Sequence, residues 1–385
     1  MNLKKEITFV CCNSNIADSI MEEAKQRGYL VKVTDNPFEK CNIGIYRDHV
    51  NFPQYSKFSL VMLHDILQQS DKWPDLWYWE PWNIFDIGIL PTIQWQNNWE
   101  KSSQYYWARP KRGMFSAGWP KGDAIVKLKD PKSKEAFYKE HNLNPKLRTI
   151  LYAPSWENDG KQDDFVKSMQ KLEVNILIKQ ANWPDKYPEI QKNIKEMAEL
   201  HRGLPNVTIL SPKLNIFEAI AVADVLVSEE SSTMFEAAMM GVPAISVSDW
   251  LMPDTTPSRM CECEFDFVTK TTKSELTQCV QNMIDNYGYY AEKIANYASE
   301  NCFNVGNSSK MIMDIIDDCV SGKAIRYKPL DNNKKVFPGL LKVLGHLSIY
   351  IRRQLYCNYR ERSPIIKKIW NYGVKIRNRI LKKPR

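Results

Sequence analysis

Short apolar runs alternate with helical periodicities along most of this chain, and no hairpin signal interrupts them. Strands joined through helices pair in parallel, with right-handed crossovers. Residues 6–11 read as a strand, and Ile16, Ile20 and Ala24 recur at helical spacing before Gly28. Further strands are expected at 29–33 and 58–63. A charged helical stretch over 127–146 ends at Asn144-Pro145. Beyond it, strands at 148–154, 174–179, 206–210, 224–228 and 243–247 alternate with helices at 163–172, 189–200, 216–223 and 232–240. Helices at 273–286 and 308–320 close the series. The expectation is an α/β chain of two Rossmann-like doubly wound domains, residues 1–146 and 147–325, followed by a tail.

Charge separates that tail from the rest. The 385 residues carry a formal net charge of +8, which invites a nucleic-acid partner. Residues 326–385, however, hold 17 Lys+Arg against Asp331 and Glu361, a net of +15 that leaves −7 on the first 325 residues. An acidic body does not attract nucleic acid. In the tail, Leu340, Leu344, Leu347, Ile351 and Leu355 recur at helical spacing, and Ile365, Ile369, Ile376 and Ile380 follow Ser363-Pro364. Basic amphipathic helices of this kind fit an anionic membrane surface. A partner helix is one rival. RNA is the other, disfavoured because no aromatic–basic stacking pattern accompanies the charges. The opening residues carry no apolar leader, no run reaches the roughly 18 apolar residues of a span, and nine cysteines are scattered without zinc-site spacing. These features lead to the expectation of a reduced, cytoplasmic protein at the inner face of the membrane, with no metal. Eight of the twelve tryptophans fall within 73–119, where packing around an insertion is the expected use.

Ligands of open parallel sheets bind outside the carboxyl ends of the strands. That rule selects His64 and Asp65, Ser155, Lys179 and the segment from Glu229 to Glu236. Ser231, Ser232 and Thr233 precede a helix, so their hydroxyls and its free N–H groups suit a phosphate. Lys179 offsets diphosphate charge. A histidine near neutral pKa suits removal of a proton from an acceptor hydroxyl.

The stretch from Ala223 to Glu236, with Gly241-Val242-Pro243 after it, resembles the nucleotide-binding segment of GT-B transferases. It is most similar to that of the CDP-glycerol glycerophosphotransferase family, which builds teichoic-acid-like and capsular polymers. Glu229-Glu230-Ser231-Ser232 stands where the family has an Asp-Tyr-Ser-Ser-like core. Tyr152-Ala153-Pro154-Ser155-Trp156, Gly118-Trp119-Pro120-Lys121-Gly122-Asp123, Leu63-His64-Asp65 and Gly306-Asn307-Ser308-Ser309 resemble other family motifs in the same order. The resemblance implies a GT-B-like fold and transfer of a glycerophosphate or related polyol-phosphate unit from a CDP-activated donor to a polymer or lipid-linked acceptor. It implies His64 as the base; Asp65 stands where the family's Trp-His-Gly motif has glycine, and its carboxylate either orients His64 or contributes nothing. Donor contacts fall to Ser155, Lys179, Ser231, Ser232 and Thr233, with Glu229 on a ribose or acceptor hydroxyl and Glu236 near the ribose. The donor is a substrate, and no cofactor is expected. Two departures stand out. Lys179-Gln180-Ala181-Asn182 lacks the family's second histidine, and Glu157 replaces an arginine. The alternatives are therefore a glycosyltransferase using a UDP- or CDP-sugar, a sugar-nucleotide epimerase, and a non-catalytic scaffold.

Overall fold

The computed structural model describes residues 4–11, 17–47, 52–62, 82–185, 187–253, 257–261, 265–331, 336–337, 339–355, 363–369 and 372. Two compact units emerge. In the first, β1 (Glu6–Val10), β2 (Leu30–Thr34), β3 (Cys41–Tyr46), β4 (Ser56–Met62), β5 (Ile87–Leu90) and β6 (Met114–Ser116) form one sheet. Its order is β2-β1-β3-β4-β5-β6, and every pairing is parallel. Helix α1 (Asp18–Gln26) joins β1 to β2 and buries Ile20 and Ala24. Helix α2 (Ile93–Ser102) starts where Thr92 Oγ1 accepts from the Trp95 amide at 3.3 Å. Trp82, Trp95, Trp99 and Trp107 are buried in this unit, as is Trp119 in the second. Five of the eight clustered tryptophans are thus packing groups; Trp73, Trp77 and Trp79 lie outside the described residues.

The second unit begins with α3 (Ile125–Leu128) and α4 (Pro131–Glu140) and continues through β7 (Arg148–Tyr152), α5 (Lys161–Met169), β8 (Val174–Ile178), α6 (Pro188–His201) and β9 (Val207–Ile209). Then come α7 (Ile216–Val222), β10 (Val225–Ser228), α8 (Thr233–Met240), β11 (Ala244–Val247), β12 (Val268–Thr271), α9 (Leu276–Asp285), α10 (Tyr287–Asn301) and α11 (Ser308–Val320). The all-parallel order is β12-β11-β10-β7-β8-β9. Chain order reverses between β7 and β10, which makes that crevice the topological switch point. Ile150, Ile176, Val225 and Ile245 pack in one core with Phe165 of α5 and Val280 of α9. Successive side chains of a strand alternate in direction. The buried Leu151, Leu177 and Leu226 therefore face the opposite way, toward the layer in which α7 packs with α3, α4 and α8.

The units divide at different residues from the boundaries expected at 146 and 325. Among the described residues, those within 118–309 cluster as one unit, and those from Lys310 onward cluster with the first sheet. Segment 118–146 belongs to the second sheet because α3 and α4 pack on α7, and the Asp123 carboxylate accepts from the Ser308 and Ser309 amides at 2.9 and 2.8 Å. Residues after 309 belong with β1 and α1 because Arg27 binds Asp314 at 2.7 Å and Asp317 at 2.8 Å.

Within the first unit, α12 (Leu340–Leu355) turns its polar side inward. The Lys342 ammonium bonds the Tyr105 hydroxyl and lies 4.7 Å from the ring centroid. His346 is buried and stacks on Trp107 at 4.6 Å. Leu340, Leu341, Leu344, Leu347 and Ile351 are left exposed, Leu341 by 84%. Among the described residues, no helix is long and apolar enough to cross a membrane.

Candidate active site

At the β7/β10 switch point the carboxyl edge of the second sheet gathers most of the expected residues. β10 is a fully buried four-residue strand, so its end delivers Glu229–Thr233 beside the segment that leaves β7. The Ser155 hydroxyl donates to the Glu230 carbonyl at 2.7 Å and ties the two segments together. Ser231 Oγ accepts from the Thr233 amide at 3.3 Å and the Thr233 hydroxyl at 2.9 Å. An oxygen that accepts twice keeps its own O–H to donate outward. Ser232 takes the N-cap position of α8 without a side-chain cap bond, and Gly241 closes that helix in the left-handed conformation. The amides of Thr233, Met234 and Phe235 are bonded within the turn, so the helix start offers an anion the Ser231 hydroxyl and the positive end of the helix dipole.

The carboxylates nearby divide into two kinds. Glu229 is fully buried, and its Oε1 accepts from the Trp156 amide at 2.8 Å and lies 3.7 Å from the Lys161 ammonium. Burial pushes its carboxyl upward, against the pull of Lys161 and its hydrogen bonds. Burial likewise pushes Lys161 down, opposed by Glu229. Glu229, expected to meet a hydroxyl of the ligand, holds the Trp156 loop in place through this bond. Glu236 lies one turn into α8, buried, with the Lys121 ammonium 2.5 Å away. Lys121 was not singled out in the sequence. Its motif is visible there, but its partner lies 115 residues on.

Lys179 is buried at the end of β8 and donates to the Gln180 and Pro212 carbonyls, both at 3.0 Å. An ammonium has three protons, so one donor remains. Burial first, and then the Lys121 charge, bring its pKa down to about 8, with Glu236 opposing.

Glu157, at the position of the family's arginine, is a buried cross-link. It accepts from the Tyr152 hydroxyl at 2.9 Å, Gln180 Nε2 at 2.6 Å and the Gln162 amide at 3.2 Å. Gln180 Nε2 also donates to Gln162 Oε1 at 2.7 Å. Gln162 Nε2 then donates to His201 Nδ1 at 3.0 Å, and His201 Nε2 reaches Asp163 at 3.2 Å. The loops after β7 and β8 are thus locked by neutral amides and a carboxylate where the resemblance leads one to expect cations. Ala181, at the position of the missing histidine, follows directly. His64 and Asp65 lie outside the described residues.

The CDP-glycerol:poly(glycerophosphate) glycerophosphotransferase family matches residues 94–318. No curated protein sequence matches the chain. Among solved structures, a wall teichoic acid polymerase, TagF, superposes with a TM-score of 0.60 at 16% identity, covering 83% of this chain and 90% of that one. A UDP-GlcNAc 2-epimerase from Neisseria meningitidis gives 0.55 at 15% identity, covering 81% and 99%. A putative UDP-N-acetylglucosamine 2-epimerase from Listeria monocytogenes gives 0.52 at 12%, covering 85% and 99%. These likenesses establish the GT-B fold. The family match spans more than half of the chain, takes in both the start of α8 and the Asp123–Ser308 cap, and identifies the protein as a transferase of the CDP-glycerol:poly(glycerophosphate) glycerophosphotransferase family.

Proposed function

We propose that the protein transfers a glycerophosphate, or related polyol-phosphate, unit from a CDP-activated donor to a surface polymer or lipid-linked acceptor. The observation that carries this is the cradle at the β7/β10 switch point, where Ser231 keeps a hydroxyl proton to donate beside the start of α8, in a chain of this family. Lys179 adds a cation that counters the diphosphate. Glu236, paired with Lys121, stands one turn along on the side where a ribose would follow. The acceptor oxygen attacks the phosphorus of the transferred group, its proton passes to His64, and the bond to the departing nucleoside monophosphate breaks. Asp65 orients His64 in this reading. The assay is release of CMP from CDP-glycerol in the presence of acceptor membranes. His64→Ala should abolish release while the folded state is kept; a folded variant with near-normal turnover removes His64 from the mechanism.

A second reading, transfer of a sugar from a UDP- or CDP-sugar, draws support from Glu157 and Ala181. Both stand where the resemblance leads one to expect phosphate-binding charge, and Glu157 is committed to Tyr152, Gln162 and Gln180. CMP release with CDP-glycerol but not with nucleotide sugars separates the two.

The place of work is the anionic inner face of the cell membrane, reached as a peripheral protein. The exposed leucines of α12 and the net charge of +15 on residues 326–385 support it. An apolar face of this kind inserts at the headgroup boundary, and each near-surface base adds about 1 kcal/mol on an anionic leaflet.

A further inference from the structure

Trp156 and Trp183 leave β7 and β8 on adjacent loops and meet with ring centroids 4.6 Å apart, tilted by 47°. Tyr187 meets Trp183 edge-on at 4.9 Å. Both tryptophans are half-buried, and Tyr187 is 36% exposed. The backbone under them is fixed. The Trp156 amide donates to buried Glu229 at 2.8 Å, and its carbonyl accepts from buried Lys161 at 3.2 Å. The Trp183 carbonyl accepts from Gln191 at 2.9 Å. Rings held this firmly lose little freedom when a ligand ring settles on them.

Placement indicates which ligand. The loops carrying Trp156 and Trp183 feed α5 and α6, which pack together in one layer of the sheet. Ser231, Glu236 and their partner Lys121 belong to the opposite layer, with α7 and α8. The aromatic ledge therefore flanks the phosphate cradle on the side away from Glu236, where the non-nucleotide end of a substrate would lie. Half-exposed aromatic side chains offer an apolar body with a polar edge, and a sugar ring, with an apolar C–H face and hydroxyls around its rim, matches them.

We infer that Trp156, Trp183 and Tyr187 form a stacking subsite for a sugar ring. The ring would belong either to the acceptor or to the transferred unit; the placement beside the cradle rests on the transferase reading above, whereas the ledge itself does not.

The test is saturation-transfer NMR on the full chain with methyl β-glucoside and methyl β-N-acetylglucosaminide, alongside UDP-N-acetylglucosamine and CDP. In the wild-type protein, saturation should reach the ring C–H protons of a methyl glycoside, vanish in Trp183→Ala and persist in Trp183→Phe. The CDP thermal shift should be the same in all three proteins, which also reports that they fold. Saturation of a free glycoside marks an acceptor ring, and saturation of the sugar in the nucleotide sugar alone marks a transferred one; either supports the subsite. Pyrimidine protons of CDP that lose saturation in Trp183→Ala make the ledge a nucleobase platform and overturn the inference. Absence of saturation from every sugar also overturns it, whether or not CDP binds. A glycoside signal without any CDP shift would leave the ledge standing and remove the donor reading.

Discussion

Lys179 binds two backbone carbonyls and one neighbouring charge field, and its titration reports on both. Its pKa is lowered to about 8, whereas an ordinary lysine titrates at 10.5. Below about pH 8 both native and unfolded chains hold the proton, and the cost of burying the charge stands in full. Between about 8 and 10.5 the unfolded chain binds more protons, so this residue's contribution makes stability rise with pH in that window. In the proposed donor role of Lys179, affinity moves the other way, because the neutral amine carries no charge to counter a diphosphate. CDP affinity should fall as pH rises through about 8, and Lys179→Met should bind CDP more weakly with a flatter profile. Calorimetric titration across that range checks it; a wild-type affinity that is flat in pH would contradict the role. At this scale the sequence reveals residue types but not their partners. Ser231 and Ser232 are legible because a hydroxyl run before a helix has a local meaning. Glu157 and Glu229 are not, because the groups that bury them, Gln180 and Lys161, become neighbours through pairing of strands far apart in the chain.

Among the elements, β7, β8, β10 and β11 could be read directly because each is a buried apolar run. Strand β3 is not legible in the sequence because Asn42 and Gly44 interrupt its apolar run. Gly44 is required where a Cβ would meet Ser56 Oγ at 2.1 Å. Strands β5, β6 and β12 are three or four residues long, too short to show a period. The turn at Gly118 has φ +85°, and a Cβ there would meet the Phe303 carbonyl at 2.5 Å. Next to it, Asp123 supplies both acceptors for the first amides of α11. These two elements carry two of the motifs that marked the family, so the motifs are coupled physically as well as by order. Asp123→Ala should lower stability by about 1–2 kcal/mol, with faster amide exchange at Ser308 and Ser309. Unchanged exchange at those amides would show that the cap contributes nothing.

For the whole molecule, the net charge averages two unlike parts, an acidic body and a basic tail. The alternating pattern gave two α/β sheets, while the division between units lay beyond it, since the links from Arg27 to Asp314 and Asp317 join segments about 290 residues apart. The inward turn of α12 was equally out of reach, because it depends on Tyr105 and Trp107. Its outward leucines should carry the protein up a density gradient with vesicles containing anionic lipid, and less well with neutral vesicles. Leu341→Glu with Leu344→Glu should reduce flotation sharply without lowering the melting temperature. Equal flotation of that variant would refute membrane docking through α12.

The central claim, a CDP-dependent transferase, is tested most directly by a thermal-shift panel of CDP, UDP, GDP and CDP-glycerol. A ligand at a hundredfold excess over Kd stabilises by about 2.7 kcal/mol. CDP and CDP-glycerol should raise the melting temperature, UDP and GDP should raise it less, and Ser231→Ala should shrink the CDP shift. No shift with any nucleotide would contradict the account.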